Sequence, residues 1–114
     1  MELTIRHFHD DIRLIELRGR LDLKGTLSIE KLFSMHTLGS PQGKVIVDLQ
    51  QLEFLTSAGI CMLVRNAREL NERKGRMILI NASPMIEDVL RVARVESLLP
   101  LAHSLDDAVR YIDT

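Results

Sequence analysis

The chain has 114 residues, of which 46% are hydrophobic and 27% are charged, and its formal net charge is −1. This length is sufficient for one domain with a single hydrophobic core and is too short for two. The charge argues against a nucleic-acid-binding protein, because surfaces that neutralise phosphates are usually basic.

Cysteine content and hydropathy indicate the compartment. Cys61 is the only cysteine, so no intramolecular disulfide can form, as is usual in a reducing compartment. Residues 1–6 lack the charged-then-apolar layout of a signal peptide, and the apolar runs are too short to span a bilayer. We therefore expect a soluble, cytoplasmic protein that does not insert into membranes.

The first predicted elements are two strands. Residues 2–8 alternate between apolar and polar side chains, as is typical of a half-buried strand. After a turn at residues 10–11, a second alternating run begins at Ile12, and the two runs predict a hairpin. Gly19 and Asp22 mark the predicted exit from the second strand.

A helix is predicted next, over residues 27–36, and the Gly/Pro cluster at 39–43 ends it. The β-branched run at 45–47 is typical of a strand that is covered on both faces. From residue 57 a long helix follows, because apolar residues recur on one side at helical spacing. This apolar stripe consists of Ile60, Leu63, Val64, Ala67 and Leu70.

The last third of the chain predicts one more strand, at residues 77–80, and two helices. Ser83 precedes Pro84, a pairing that favours a helix start. The core face of that helix is predicted to consist of Ile86, Val89, Leu90 and Ala93. A sequence similar to a capping box, at residues 104–107, predicts a closing helix. The order ββαβαβα and a closing helix implies an α/β fold, with a mixed sheet of four to five strands packed with about four helices.

The segment most informative about function is the start of the long helix, Thr56-Ser57-Ala58-Gly59. A helix N-terminus leaves about four backbone N–H groups without internal partners, and it favours a nearby anion by roughly 0.3–1 kcal/mol. A phosphate placed on a hydroxyl there would be held by those donors. The simpler interpretation is that Ser57 or Thr56 only caps the helix, which is worth roughly 1 kcal/mol, and position alone favours this interpretation.

Three stretches of the sequence form a recognisable set. They are Gly19-Arg20-Leu21-Asp22, Val45 to Leu49 followed by Leu52-Glu53-Phe54-Leu55, and Thr56-Ser57-Ala58-Gly59-Ile60. With them the chain resembles the STAS domains of bacterial anti-sigma factor antagonists, and the predicted order of strands and helices is also that of the family. The resemblance covers nearly the whole chain and implies a single STAS (SpoIIAA-like) domain over residues 1–114.

The resemblance implies a partner-switching role. In the family, the unphosphorylated protein binds an anti-sigma factor that is also a serine kinase and thereby frees a sigma factor. The kinase uses ATP to phosphorylate the antagonist at the start of this helix, and a PP2C-type phosphatase removes the phosphate. The phosphate adds about −1.5 to −2 charges to the contact surface, which can eject the partner. The partner-binding residues implied are Asp22, Thr56, Ser57, Ala58, Gly59 and Met62.

The sequence departs from the usual family pattern at the modified position. That pattern is Asp-Ser-Ser-Gly or Asp-Ser-Thr-Gly, with the acceptor directly before the glycine. Ala58 stands in the acceptor's place and Thr56 in that of the aspartate. Ser57 is therefore the expected phosphorylation site, with Thr56 as second choice. The alternatives are a constitutive scaffold subunit of a signalling or lipid-transport complex, and a nucleotide-binding sensor domain.

Other candidate residues have simpler interpretations. No catalytic set and no Gly-rich phosphate loop is present, so we expect neither an enzyme nor a cofactor. His7 and His9 share a strand face, but no further ligands accompany them, and no metal site is predicted. Asp48 is interpreted as a loop-capping carboxylate and Cys61 as a packed thiol, and Asp22 fits a partner contact and a turn equally well.

Overall fold

The computed structural model describes residues 1–8 and 11–112 of the chain. In chain order the elements are β1 (Glu2–Phe8), β2 (Ile12–Leu21), α1 (Leu23–Leu38), β3 (Lys44–Asp48), β4 (Leu52–Leu55), α2 (Ser57–Glu72), β5 (Arg76–Ile80), α3 (Pro84–Ala93), β6 (Leu101–Ala102) and α4 (Leu105–Ile112). The predicted turn at residues 10–11 lies partly outside the described residues.

The strands form one mixed sheet in the order β1-β2-β3-β5-β6, with β4 paired to the far end of β2. β1 and β2 are antiparallel, and the other neighbouring strands are parallel. The predicted fold class, a mixed sheet packed with four helices, is confirmed. The sheet also contains two short strands that were not predicted, β4 and β6.

The two faces of the sheet carry separate cores, because successive side chains of a strand point to opposite sides. On β2, Ile15 and Leu17 belong to the larger core, which is covered by α1, α2 and α3. Ile12 and Leu14 belong to the smaller core, which is covered by α4. The predicted alternation of this strand is therefore confirmed.

Helix α1 begins at Leu23, four residues before the predicted start. Asp22 is its N-cap, since one carboxylate oxygen accepts a hydrogen bond from the Gly25 amide at 2.8 Å. The helix ends at Leu38, next to the Gly/Pro cluster, as predicted.

Gly19 lies inside β2 and does not mark its end. Its φ is +113°, a conformation that favours glycine. The pairing between β2 and β4 shifts register between Gly19 and Arg20, as at a β-bulge. The shift lets the last residues of β2 pair with β4, and this pairing brings Leu21 opposite Leu55.

Candidate functional site

The start of α2 is held against the end of β2 by Thr56. Both the amide and the hydroxyl of Thr56 donate hydrogen bonds to the Leu21 carbonyl oxygen, each at 3.1 Å. Thr56 occupies the N-cap position, but its side chain makes no capping bond to the helix. Thr56 is therefore the N-cap residue, as the simpler interpretation allows, but its hydroxyl bonds to the neighbouring strand and contributes no capping bond.

Ser57 is the first residue of α2, and its side chain is exposed. The first turn of the helix contains no acidic residue that would neutralise the partial positive charge of its N-terminus. The structure thus places an exposed serine at the electropositive end of this helix.

Gly59 lets α2 approach the sheet closely. A Cβ atom at this position would lie 2.7 Å from Cγ of Leu21 and 2.8 Å from Cδ1 of Leu55. Contacts this short require the leucines to move, so the sequence-based expectation that Gly59 serves close approach agrees with the geometry.

We expect Gly59→Ala to lower the free energy of unfolding by about 1–2 kcal/mol, because overpacking outweighs the gain in helix propensity. Urea unfolding followed by circular dichroism measures this change. Ser57→Ala is the matched control, since that side chain is exposed, and it should stay within about 0.5 kcal/mol of wild type. Equal stability of the two variants would contradict the packing argument.

Asp22 and Arg20 form the second side of the site, because they flank Leu21, the residue to which Thr56 is bonded. The Arg20 guanidinium lies 4.5 Å from the centroid of the Phe54 ring, and its Nε lies 3.7 Å from Oδ2 of Asp22. Asp22 therefore has the turn role, as the cap of α1, while its carboxylate remains partly open to solvent. A contact with a partner stays a prediction.

The pKa of Asp22 lies below the ordinary value of 3.8. The main cause is the hydrogen bond from the Gly25 amide; desolvation opposes it, and the charge of Arg20 adds to the lowering. Asp22 is thus ionised at neutral pH, and it directly follows Leu21, the residue to which Thr56 is bonded.

This lowered pKa predicts a pH dependence of stability. A carboxylate whose pKa is lower in the folded state stabilises the fold fully at pH values above its pKa in the unfolded state. This stabilisation is lost as the pH falls below the ordinary value of 3.8 and through the pKa of the folded state. Asn caps helices about as well as Asp but does not titrate, so Asp22→Asn should lose less stability over that range. The urea midpoint of unfolding, measured for both proteins at a series of pH values, tests this. An equal fall of the midpoint with pH in the two proteins would contradict it.

The buried face of α2 is rotated relative to the predicted stripe. It comprises Gly59, Met62, Leu63, Asn66, Ala67 and Leu70. The partner contact expected of Met62 does not fit this position, because its side chain is fully buried in the core. Cys61 is exposed, so the prediction of a packed thiol is wrong.

On α3, Ala93 is likewise exposed, whereas Ile86 and Leu90 are buried as predicted.

Asp48 lies at the end of β3, away from these contacts. Its Oδ1 accepts hydrogen bonds from the Gln50 amide at 2.9 Å and from Nδ2 of Asn81 at 3.3 Å. The loop-capping interpretation agrees with both bonds. Asn81, which has φ of +59°, carries no signal in the sequence that would have singled it out.

The described residues contain no group of three metal-binding side chains. His7 is exposed, and His9, its predicted neighbour on the strand, lies outside the described residues. Within residues 1–8 and 11–112, no helix is both long enough and apolar enough to cross a bilayer.

Known proteins resemble this chain in sequence and in fold. A Bordetella bronchiseptica protein named as an anti-sigma factor antagonist, BtrV, is 27% identical over 71 residues, which are 62% of this chain and 61% of BtrV. The match thus spans about three fifths of that relative's length.

Solved structures show the same fold. An anti-sigma factor antagonist from Mycobacterium paratuberculosis superposes with a TM-score of 0.87 at 21% identity, covering 99% of this chain and 94% of that one. SpoIIAA of Bacillus in its phosphorylated form gives a TM-score of 0.71 at 23% identity, covering 97% and 99%. The sequence profile of the STAS domain matches residues 5–108. The chain therefore belongs to the STAS domain family.

Proposed function

We propose that this STAS domain is an anti-sigma factor antagonist that is switched off by phosphorylation of Ser57. In the unmodified state it binds an anti-sigma factor serine kinase and so releases a sigma factor. The observation that carries the proposal is the exposed Ser57 hydroxyl at the uncapped start of α2. The name of BtrV and the phosphorylated form of SpoIIAA support it, since both are proteins similar to this one.

The chemistry of the switch follows from the charges at the site. The kinase transfers the γ-phosphoryl group of ATP to the Ser57 oxygen, and ADP and a proton are released. The phosphoserine brings about −1.5 to −2 charges to the start of α2, where Thr56 is bonded to Leu21, the chain neighbour of the ionised Asp22. The added charge must be desolvated when a partner binds, so the complex dissociates while the domain stays folded. A PP2C-type phosphatase restores the binding form.

Ser57 is a better acceptor than Thr56 on structural grounds. The Thr56 side chain is half-buried and its hydroxyl donates to Leu21, so phosphorylation there would break a bond between α2 and the sheet. Phosphorylation of Ser57 breaks no such bond. Ala58, which stands in the family's usual acceptor place, is half-buried and has no hydroxyl.

The direct test is to incubate the protein with its cognate kinase and ATP and to record the intact mass. We expect one added phosphate on wild type and none on Ser57→Ala. Ser97→Ala is the matched control and should still gain the phosphate, since Ser97 is an exposed serine far along the chain from the start of α2. No added phosphate on wild type, or equal yields on wild type and Ser57→Ala, would refute the assignment.

A second candidate function is a constitutive scaffold of the same fold, in which no phosphorylation occurs. It is favoured by the two departures from the family pattern, Ala58 and Thr56, at the place that is usually modified. The two candidates differ in how partner affinity responds to a negative charge at Ser57.

A further inference from the structure

Helix α1 exposes an apolar side to solvent in addition to the side that it buries. Of the seven large hydrophobic side chains that are exposed among the described residues, four belong to this helix. They are Leu23, Leu27, Leu32 and Met35, with exposures of 64%, 61%, 39% and 60%. The concentration on one element distinguishes them from the scattered apolar residues of an ordinary surface.

Three of these side chains lie in one row. Leu23, Leu27, Lys31 and Met35 follow one another at intervals of four residues, so they form a continuous ridge along the helix, which we call the outer ridge of α1. At 1.5 Å per residue the ridge is about 18 Å long. The opposite side of the helix, which includes Ile29 and Phe33, is buried against the sheet.

The charge of this surface is positive. Both acidic residues of α1 and its N-cap are paired with arginines: Glu30 with Arg65 at 3.1 Å and Asp22 with Arg20 at 3.7 Å. Lys24 and Lys31 are exposed, and neither forms an ion pair with a described residue. A partner that covers the ridge must therefore supply apolar side chains and carboxylates.

Two other occupants fit less well. A second copy bound about a two-fold axis would bring the same lysines towards each other. A membrane-bound helix usually has aromatic residues and many lysines, whereas the ridge has no aromatic residue and a single lysine, with Lys24 beside it. We propose that the outer ridge of α1 docks an acidic amphipathic helix of a partner protein, with ridges packed into grooves.

The position of the ridge suits a contact that acts together with the start of α2. α1 and α2 pack side by side through the Arg65–Glu30 pair and through a hydrogen bond of 3.1 Å from Arg73 to the Leu38 carbonyl. Both helices start where parallel strands of the sheet end, so Leu23 lies at the same end of the molecule as Ser57. The docking itself does not depend on phosphorylation of Ser57.

The test uses a synthetic helical peptide of about 18 residues, with Leu at positions i, i+3, i+4 and i+7 and Glu beside them. The control peptide has Lys in place of each Glu. In a titration followed by NMR, the acidic peptide should shift the amide signals of α1 and bind about tenfold more tightly than the control peptide. Leu27→Glu and Lys31→Glu should each weaken this binding about tenfold.

Met85→Glu is the matched control variant, since Met85 is 53% exposed but lies on α3. It should bind the acidic peptide as wild type does, and thermal unfolding verifies that every variant is folded. Equal binding of the two peptides, no binding at millimolar peptide, or an equal loss in Met85→Glu would overturn the proposal. So would a wild-type dimer in sedimentation that Leu27→Glu dissociates, or binding to phosphatidylglycerol vesicles in preference to the peptide.

Discussion

Ser57→Asp is expected to reduce the affinity for the anti-sigma factor kinase by more than about tenfold, or about 1.4 kcal/mol. The substitution puts a carboxylate on the exposed start of α2, so that a partner must desolvate this added charge to bind. Isothermal titration of kinase with the wild-type and substituted proteins measures the loss. The constitutive scaffold predicts an affinity within a few-fold of wild type, and such a result would exclude the switch.

Ser57→Asn is the matched control for this experiment, because it has nearly the size of aspartate without its charge. We expect Asn to change the affinity much less than Asp does. The difference between the two should shrink at high salt, which screens exposed charges. If Asn and Asp weaken binding equally, the effect is steric and the charge mechanism is wrong.

The same substitution separates binding from folding. An acidic side chain at the start of a helix interacts favourably with the helix dipole, by about 0.3–1 kcal/mol. Ser57→Asp should therefore unfold at the same denaturant concentration as wild type or at a higher one. If Ser57→Asp binds the partner more weakly than wild type but is at least as stable, the substitution acts on the contact surface and not on the fold.

The elements that could be predicted from the sequence are those with strong local signals. The long apolar periodicity of α2 and the cap at Ser83, whose hydroxyl accepts from the Ile86 amide at 3.3 Å, are examples. β4 could not be predicted, because four residues give too little periodicity and its pairing depends on the register shift at Gly19. β6 has only two residues, and its pairing to β5 is likewise set by the tertiary structure.

At the site, the sequence indicated the position of Ser57 but gave the wrong rotation for α2. The stripe was centred on Ile60 and Val64, which are half-buried, because the pattern counted apolar residues alone. Asn66 is a polar member of the buried face, and its Nδ2 donates to the Met62 carbonyl at 2.8 Å. A buried asparagine that bonds within its own helix carries no apolar signal, so Met62 was placed outside and Cys61 inside.

The link between α1 and the site was not predicted, because the helix was expected to start only at residue 27, whereas it starts at Leu23. In the structure Gly25 is buried in the first turn of α1, and its amide donates a hydrogen bond to the carboxylate of Asp22, the N-cap. A Cβ atom there would clash with the carbonyl oxygen of Arg20, which is backbone and cannot rotate away. The absence of a side chain at Gly25 therefore helps to fix the positions of Arg20 and Asp22, which flank Leu21.

Gly25→Ala should consequently lower the free energy of unfolding by about 3 kcal/mol, at the upper end of the usual cost of overpacking. Either α1 or the end of β2 must shift, and Arg20 and Asp22 shift with it. Urea unfolding measures the loss, and Ser34→Ala, a half-buried position on the same helix, should stay within about 0.5 kcal/mol of wild type. If Gly25→Ala is as stable as this control, the backbone around Leu21 can move at little cost. The close approach of Gly25 to the Arg20 carbonyl then does not set the positions of Asp22 and the start of α2.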